Sequence, residues 1–178
     1  MAQATTKHFT LKTLSEEPEH IRVWEGPIND VTIKIILNPT DQRVPRFIVS
    51  SPDAQIFGLH FHQMPRAYQI AYNDAMSILG QLAIERMQAS LVNYRIEGNL
   101  HCSLAHPEPL HPHVHVLFRY PAGKIIIDNY ESMDPSFGKD YPLADGKKII
   151  SVENCKSIST MVGQLFAECI ENNQIFNK

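Results

Sequence analysis

The sequence predicts an α+β domain, an antiparallel sheet of about five strands covered by two helices. Three observations lead there. Val31-Thr32-Ile33-Lys34-Ile35-Ile36-Leu37 is dense in β-branched residues and has the composition of a strand. Two long stretches, 65–91 and 152–171, carry apolar residues at helical spacing. In His111-Pro112-His113-Val114-His115-Val116-Leu117 polar and apolar residues alternate, which in an extended chain sends the histidines to one face and Pro112, Val114 and Val116 to the core. Two amphipathic helices need a sheet to bury their stripes, because a lone hairpin offers too little apolar surface.

Taken in order, residues 1–25 read as a polar N-terminal arm with an acidic Glu16-Glu17-Pro18-Glu19, and 26–178 as a single domain. Trp24 and a Gly26-Pro27 turn lead into the strand at Val31–Leu37. Asn38-Pro39-Thr40-Asp41 is a turn, and Pro45-Arg46-Phe47-Ile48-Val49-Ser50 is the return strand of a hairpin. Pro65 suits a helix start, and the stripe Ala67, Ile70, Ala71, Ile78, Leu79, Leu82, Ala83, Met87, Leu91 predicts a helix over 65–91. Gly80 within it fits either the close approach of a strand or a tolerated glycine. Asn93-Tyr94-Arg95-Ile96 begins a strand that runs to Gly98-Asn99 and lies beside the histidine strand.

After the histidines, Pro121-Ala122-Gly123 is a turn and Lys124–Asp128 a further strand; 133–142 is a long loop, either a specificity edge or a plain surface loop. Ser151 is a good N-cap with Glu153 in the first turn, and Ile158, Met161, Val162, Leu165, Phe166, Cys169 and Ile170 form the stripe of the last helix.

Composition narrows the function classes. A chain of 178 residues with 43% hydrophobic and 20% charged content is one globular domain able to bury its own core. Its net charge of −3 supplies no basic field for nucleic acid or anionic lipid, so any phosphate must be held locally. No run approaches the roughly 18 apolar residues of a membrane span, which places the chain in the cytoplasm. Cys102, Cys155 and Cys169 are odd in number and lack CxxC spacing, as expected of reduced thiols. Cys169 lies on an apolar stripe, and Cys102, in the loop before the histidines, carries the lesser reading of a nucleophile or redox switch.

Three imidazoles about 7 Å apart serve no packing need. They suit a metal site, a nucleophile with supporting donors, or a chance polar face, and the third histidine favours chemistry. His60-Phe61-His62 offers a second alternating pair, so a His-rich zinc site is one reading. It lacks its expected ligands: no Glu follows His115 at three or four residues, and no His lies beyond it.

The row resembles the motif of the histidine-triad nucleotide hydrolases and transferases, His-φ-His-φ-His-φ-φ with φ apolar, matched at every histidine and relaxed at Pro112. The order of a helix, Tyr94-Arg95-Ile96 leading to Asn99, a loop and the triad strand is also that family's. The resemblance implies a HIT-like fold and His113 as a nucleophile attacking the α-phosphorus of a nucleotide. It implies that His111 and His115 contact phosphate oxygens or move a proton, and that Asn99 lies beside the scissile phosphate. Asn38 would hold the ribose hydroxyls, although Asn before Pro is also an ordinary turn starter. No metal or cofactor is required, and a homodimer is implied. The loop 100–110 departs from the pattern: the Gly-x-Gln-Ser or Gly-x-Gln-Thr element of many members is replaced by His101-Cys102-Ser103-Leu104-Ala105-His106-Pro107-Glu108-Pro109, where His106 or Ser103 would have to stand in as donors. His115 favours hydrolysis, since transferase branches often have Gln there, whereas His-Pro-His also opens some transferase motifs. The reading is thus hydrolysis of a phosphoanhydride or phosphoramidate bond at the α-phosphorus, with a nucleotidyltransferase or a non-catalytic nucleotide-binding module as alternatives.

Overall fold

The structure, a computed structural model, describes residues 21–38, 43–97, 111–134, 136–139 and 150–172. Among the described residues seven strands and two long helices follow one another: β1 (Arg22–Ile28), β2 (Val31–Leu37), β3 (Arg46–Ser50), α1 (Arg66–Glu85), β4 (Leu91–Glu97), β5 (His113–Arg119), β6 (Ile125–Ile127), β7 (Tyr130–Glu131) and α2 (Val152–Glu171). Five strands form one antiparallel sheet in the order β1-β2-β3-β5-β4. After β3 the chain climbs through α1 to lay β4 at the far edge, and β5 then inserts between β3 and β4. The histidine strand is therefore central and bonded on both sides.

The predicted class and number of strands hold, but one strand differs. The fifth strand is β1, not Lys124–Asp128, whose β6 pairs only with β7 in a separate two-stranded hairpin. The Gly26-Pro27 signal for a turn is misleading because both residues sit inside β1. Pro27 is tolerated there because, among the described residues, β1 is an edge strand with no partner on its outer side. Gly26 leaves room for the Trp24 indole, which a Cβ would strike. The reversal lies at Asn29-Asp30, both in the left-handed region at φ 49° and 64°, the geometry of a tight two-residue hairpin turn. The sheet thus begins inside the expected polar arm, with Ile21 and Val23 buried.

Both helices pack on the same face of the sheet. Ile33, Ile35, Leu37, Phe47, Val49, Val114, Val116 and Phe118 point to that face and share one core with Ala71, Tyr72, Ala75, Ile78, Leu79 and Leu82 of α1 and Ile158, Val162 and Phe166 of α2. Helix α1 stops at Glu85, short of the predicted Leu91. Gln88 turns into the left-handed region at φ 55°, and the amides of Met87 and Ala89 bond back to the carbonyls of Leu82 and Ala83, closing the helix. Gly80 proves to be a close approach, since a Cβ there would meet the Tyr94 hydroxyl of β4. Helix α2 begins as predicted, with the Ser151 hydroxyl accepting from the Asn154 amide at 3.1 Å. Cys155 is buried and Cys169 packs partly buried against the core; Cys102 lies outside the described residues. Among the described residues no helix is long and apolar enough to cross a membrane.

Candidate active site

Alternation along β5 separates core from chemistry. Val114, Val116 and Phe118 join the core, so His113, His115, Leu117 and Arg119 take the opposite face. The sheet register sets their neighbours: Ile48 of β3 and Arg95 of β4 stand opposite His115, and Arg46 and Asn93 stand opposite Leu117. A central strand hydrogen-bonded on both flanks is the stiffest available mount for side chains that must hold geometry.

The three imidazoles stand in a row, with ring centroids 6.3 Å apart from His111 to His113 and 4.9 Å from His113 to His115. His111 precedes the strand and is 3% exposed, with the Phe57 ring edge-on at 5.0 Å. Its Nε2 lies 3.1 Å from the carbonyl of Ser51, an acceptor only, so Nε2 carries the proton. Burial, aided by the neighbouring His113 and opposed by the Ser51 hydrogen bond, pushes its pKa down to about 4, which keeps the ring neutral at pH 7. The main chain here is anchored to the helix layer: the Tyr72 hydroxyl donates to the Pro112 carbonyl at 3.0 Å, and burial raises its phenol well above the usual range, so it remains a donor. Pro112 stands just ahead of the β5 ladder, where its missing N–H interrupts no strand pairing.

His113 is the half-buried member. Its Nδ1 lies 2.9 Å from the His111 carbonyl oxygen, which again only accepts, so the proton sits on Nδ1 and Nε2 carries the lone pair. That Nε2 is 3.2 Å from Nε2 of His115. His115 is 5% exposed, and its Nδ1 accepts from Nε of Arg46 at 3.0 Å. The triad is thus a nucleophile-competent ring between an orienting carbonyl and a second imidazole.

Of the other residues singled out in the sequence, Asn38 directly follows β2, is buried, and its main-chain amide donates to the Arg46 carbonyl at 2.7 Å, which puts it beside the strand pair that carries Arg46. Asn99 and His106 lie outside the described residues. His60 caps a single 3-10 turn, Phe61–Gln63, His62 lies within it, and the two rings stack at 5.7 Å. Among the described residues no three His, Cys, Asp or Glu side chains converge to hold a metal ion, so the His60/His62 pair and the triad do not form one site. Sequence reasoning passed over Arg46, Ser51 and Tyr72. The signal for Arg46 was present: a single charged residue in an otherwise apolar strand, on the opposite face from Phe47.

Further along β5, Arg119 is buried and holds the segment after β7. Its guanidinium makes a two-pronged ion pair with Asp134 at 2.7 and 3.1 Å and donates to the carbonyls of Ser136 and Lys139 and to Asn93 Oδ1. The described part of the predicted loop, Asp134, Ser136 and Lys139, is therefore clamped to the same sheet face as the histidines.

No family model matches the chain, and no curated protein matches it. Solved structures do. The uncharacterized protein LPG0439 superposes with a TM-score of 0.72 at 18% identity, over 93% of this chain and 86% of that one. A histidine triad protein from Sinorhizobium meliloti, SMc02904, gives 0.59 at 15% identity over 92% and 97%. A histidine triad protein from Bradyrhizobium japonicum, blr8122, gives 0.55 at 13% identity over 87% and 92%. An antiparallel five-stranded sheet with both helices on one face and a row of three histidines leading into and along an inner strand defines a class of α+β protein. The fold of this chain is the histidine-triad, or HIT-like, fold.

Proposed function

We propose that the chain is a nucleotide hydrolase that cleaves a phosphoanhydride or phosphoramidate bond at the α-phosphorus, acting on a dinucleoside polyphosphate or a nucleoside phosphoramidate. The observation that carries this reading is the state of His113: Nδ1 committed to the His111 carbonyl, Nε2 left with a lone pair, and a second imidazole nitrogen 3.2 Å from it. In the first step Nε2 of His113 forms a P–N bond to the α-phosphorus while the bond to the leaving group breaks, and the departing oxygen or nitrogen takes a proton from solvent, which the attacking water of the second step returns. In the second step water attacks the nucleotidyl-histidine, the P–N bond breaks, and nucleoside monophosphate leaves. His115 supplies an N–H towards the phosphoryl oxygens, and His111 acts through its carbonyl and its buried, neutral ring. Asn38, Asn99 and His106 complete the proposal as ribose and phosphate contacts. By the same resemblance the working form is a homodimer in the cytoplasm, which mass measurement in solution tests for assembly.

The test is turnover of adenosine phosphoramidate, diadenosine polyphosphates and their guanosine counterparts, read as nucleoside monophosphate release by wild type and His113→Ala. We expect release by wild type and a loss of about four orders of magnitude or more in the variant, the scale seen when a nucleophile is removed. A second reading rests on the loop 100–110, which lacks both Gly and Gln: a module that binds nucleotide without cleaving it. Binding of AMP or GMP with no turnover of any substrate would replace the first reading with this one. Transfer of the nucleotidyl group to an acceptor other than water, with His113 still required, would make the chain a transferase.

A further inference from the structure

We propose that Arg46 is a positioning residue of the triad: it selects the Nε2-protonated tautomer of His115 and thereby sets the direction of the hydrogen-bond chain that ends on the nucleophile. The proposal rests on His113 as the nucleophile, and it concerns how that site is kept ready.

Arg46 and His115 face one another from adjacent central strands, 6% and 5% exposed, with Nε of the guanidinium 3.0 Å from Nδ1 of the ring. A guanidinium donates and never accepts, and it does not lose its proton in a protein. Nδ1 of His115 must therefore present a lone pair. A neutral imidazole has one N–H, so the proton of His115 sits on Nε2, the nitrogen 3.2 Å from His113 Nε2. His113 already carries its own proton on Nδ1, against the His111 carbonyl. All three links then run the same way: Arg46 to His115, His115 to His113, His113 to the main chain.

Each alternative arrangement is penalised. The Nδ1–H tautomer of His115 would set N–H against N–H at Arg46 and lone pair against lone pair at His113. A doubly protonated His115 would set two cations against each other in a buried site, with Arg95 of β4 as a further cation opposite in the register. Among the described residues, the charged and titratable groups on the strands flanking His115 are Arg46 from β3, Arg95 from β4 and His113 from β5 itself. None of them favours a proton on Nδ1. When a phosphoryl group arrives, the Nε2–H of His115 passes from the His113 lone pair to a phosphoryl oxygen. The same movement frees the nucleophile and gives the anion a donor. Without Arg46 the ring can present a lone pair to that anion instead.

The experiment combines ring-nitrogen NMR with kinetics. Full-length protein labelled with 15N-histidine is compared as wild type, Arg46→Met and Arg46→Gln, with His115 assigned by its disappearance in His115→Gln. The wild type is expected to show His115 with unprotonated Nδ1 and protonated Nε2, and Arg46→Met a mixture of the two tautomers. Arg46→Gln, which keeps an amide donor, is expected to restore part of the wild-type pattern. A wild-type spectrum with the proton on Nδ1 overturns the proposal, whether or not any variant folds. On the substrates above, Arg46→Met is expected to lower kcat by about 10–100-fold, the scale for residues that orient a functional imidazole, with KM changed much less. A variant with altered tautomer and unchanged kcat also overturns it. If wild type turns over no substrate, the hydrolase reading fails, and the spectrum still decides the assignment of His115.

Discussion

His111 is where burial and titration meet most sharply. Its folded pKa of about 4 lies below the ordinary value of 6.5, because burial disfavours the charged ring. Between these two values the unfolded chain binds a proton that the folded one does not, so stability rises with pH across that window. The contribution is fully present above pH 6.5 and is lost as pH falls through about 4. We expect wild type to lose about 2 kcal/mol between pH 7 and pH 5 from this group alone. His111→Gln keeps an N–H donor for the Ser51 carbonyl without titrating, so its urea midpoint should fall less over the same interval. An equal fall in both proteins would mean that His111 is not the acid-sensitive group. At this scale the sequence was informative about the chemistry and uninformative about roles. The alternation of the triad shows that three rings share a face, but not that His111 turns its nitrogen to a carbonyl while His113 keeps its Nε2 lone pair available. That division depends on Ser51 and Arg46, residues 60 and 69 positions away in the chain from the rings they meet.

At the scale of elements, two glycines in long helices make a controlled comparison. Gly163 of α2 lies against β1, and a Cβ there would strike the main-chain carbonyl of Val23, which cannot move without shifting the strand. Gly80 of α1 meets only the tip of Tyr94, a side chain 46% exposed whose hydroxyl is held there by a single long hydrogen bond to the Met76 carbonyl at 3.4 Å and can yield. Alanine favours a helix over glycine by about 1 kcal/mol at either site. Against this, overpacking costs about 1–3 kcal/mol where the neighbour cannot yield. Gly163→Ala should therefore destabilise by up to about 2 kcal/mol net, and Gly80→Ala should be near neutral or slightly stabilising, both read by urea unfolding. Equal effects would mean that α2 does not press on β1 as described. The helices and strands themselves were largely legible, since their periodicities are strong and their starts at Pro65 and Ser151 are marked. Their ends were less so. Met87 and Leu91 continue the apolar period past Glu85, but Gln88 reverses the chain, so a helical stripe passes without a break into a strand. The Gly26-Pro27 pair hid β1 because an edge strand tolerates residues that would break a central one.

Over the whole molecule, one contiguous core joins the sheet to both helices, and Trp24 is packed against Phe166 at 4.9 Å. Trp24 is the only tryptophan in the chain. Its fluorescence should therefore report the same urea transition as far-UV circular dichroism, because β1 and α2 cannot separate without opening the shared core. Two transitions at different midpoints would show that the β1–α2 end unfolds as its own unit. The sequence by itself determined the class of the fold, the two helices and the strand that bears the triad, because hydrophobic period is local and burial follows from it. Only the tertiary structure decided that β5 lies between β3 and β4, that β1 rather than 124–128 completes the sheet, and that Arg46 meets His115. Strand order and side-chain partnership are set by contacts between distant segments, and no local pattern encodes which strand a given strand will pair with.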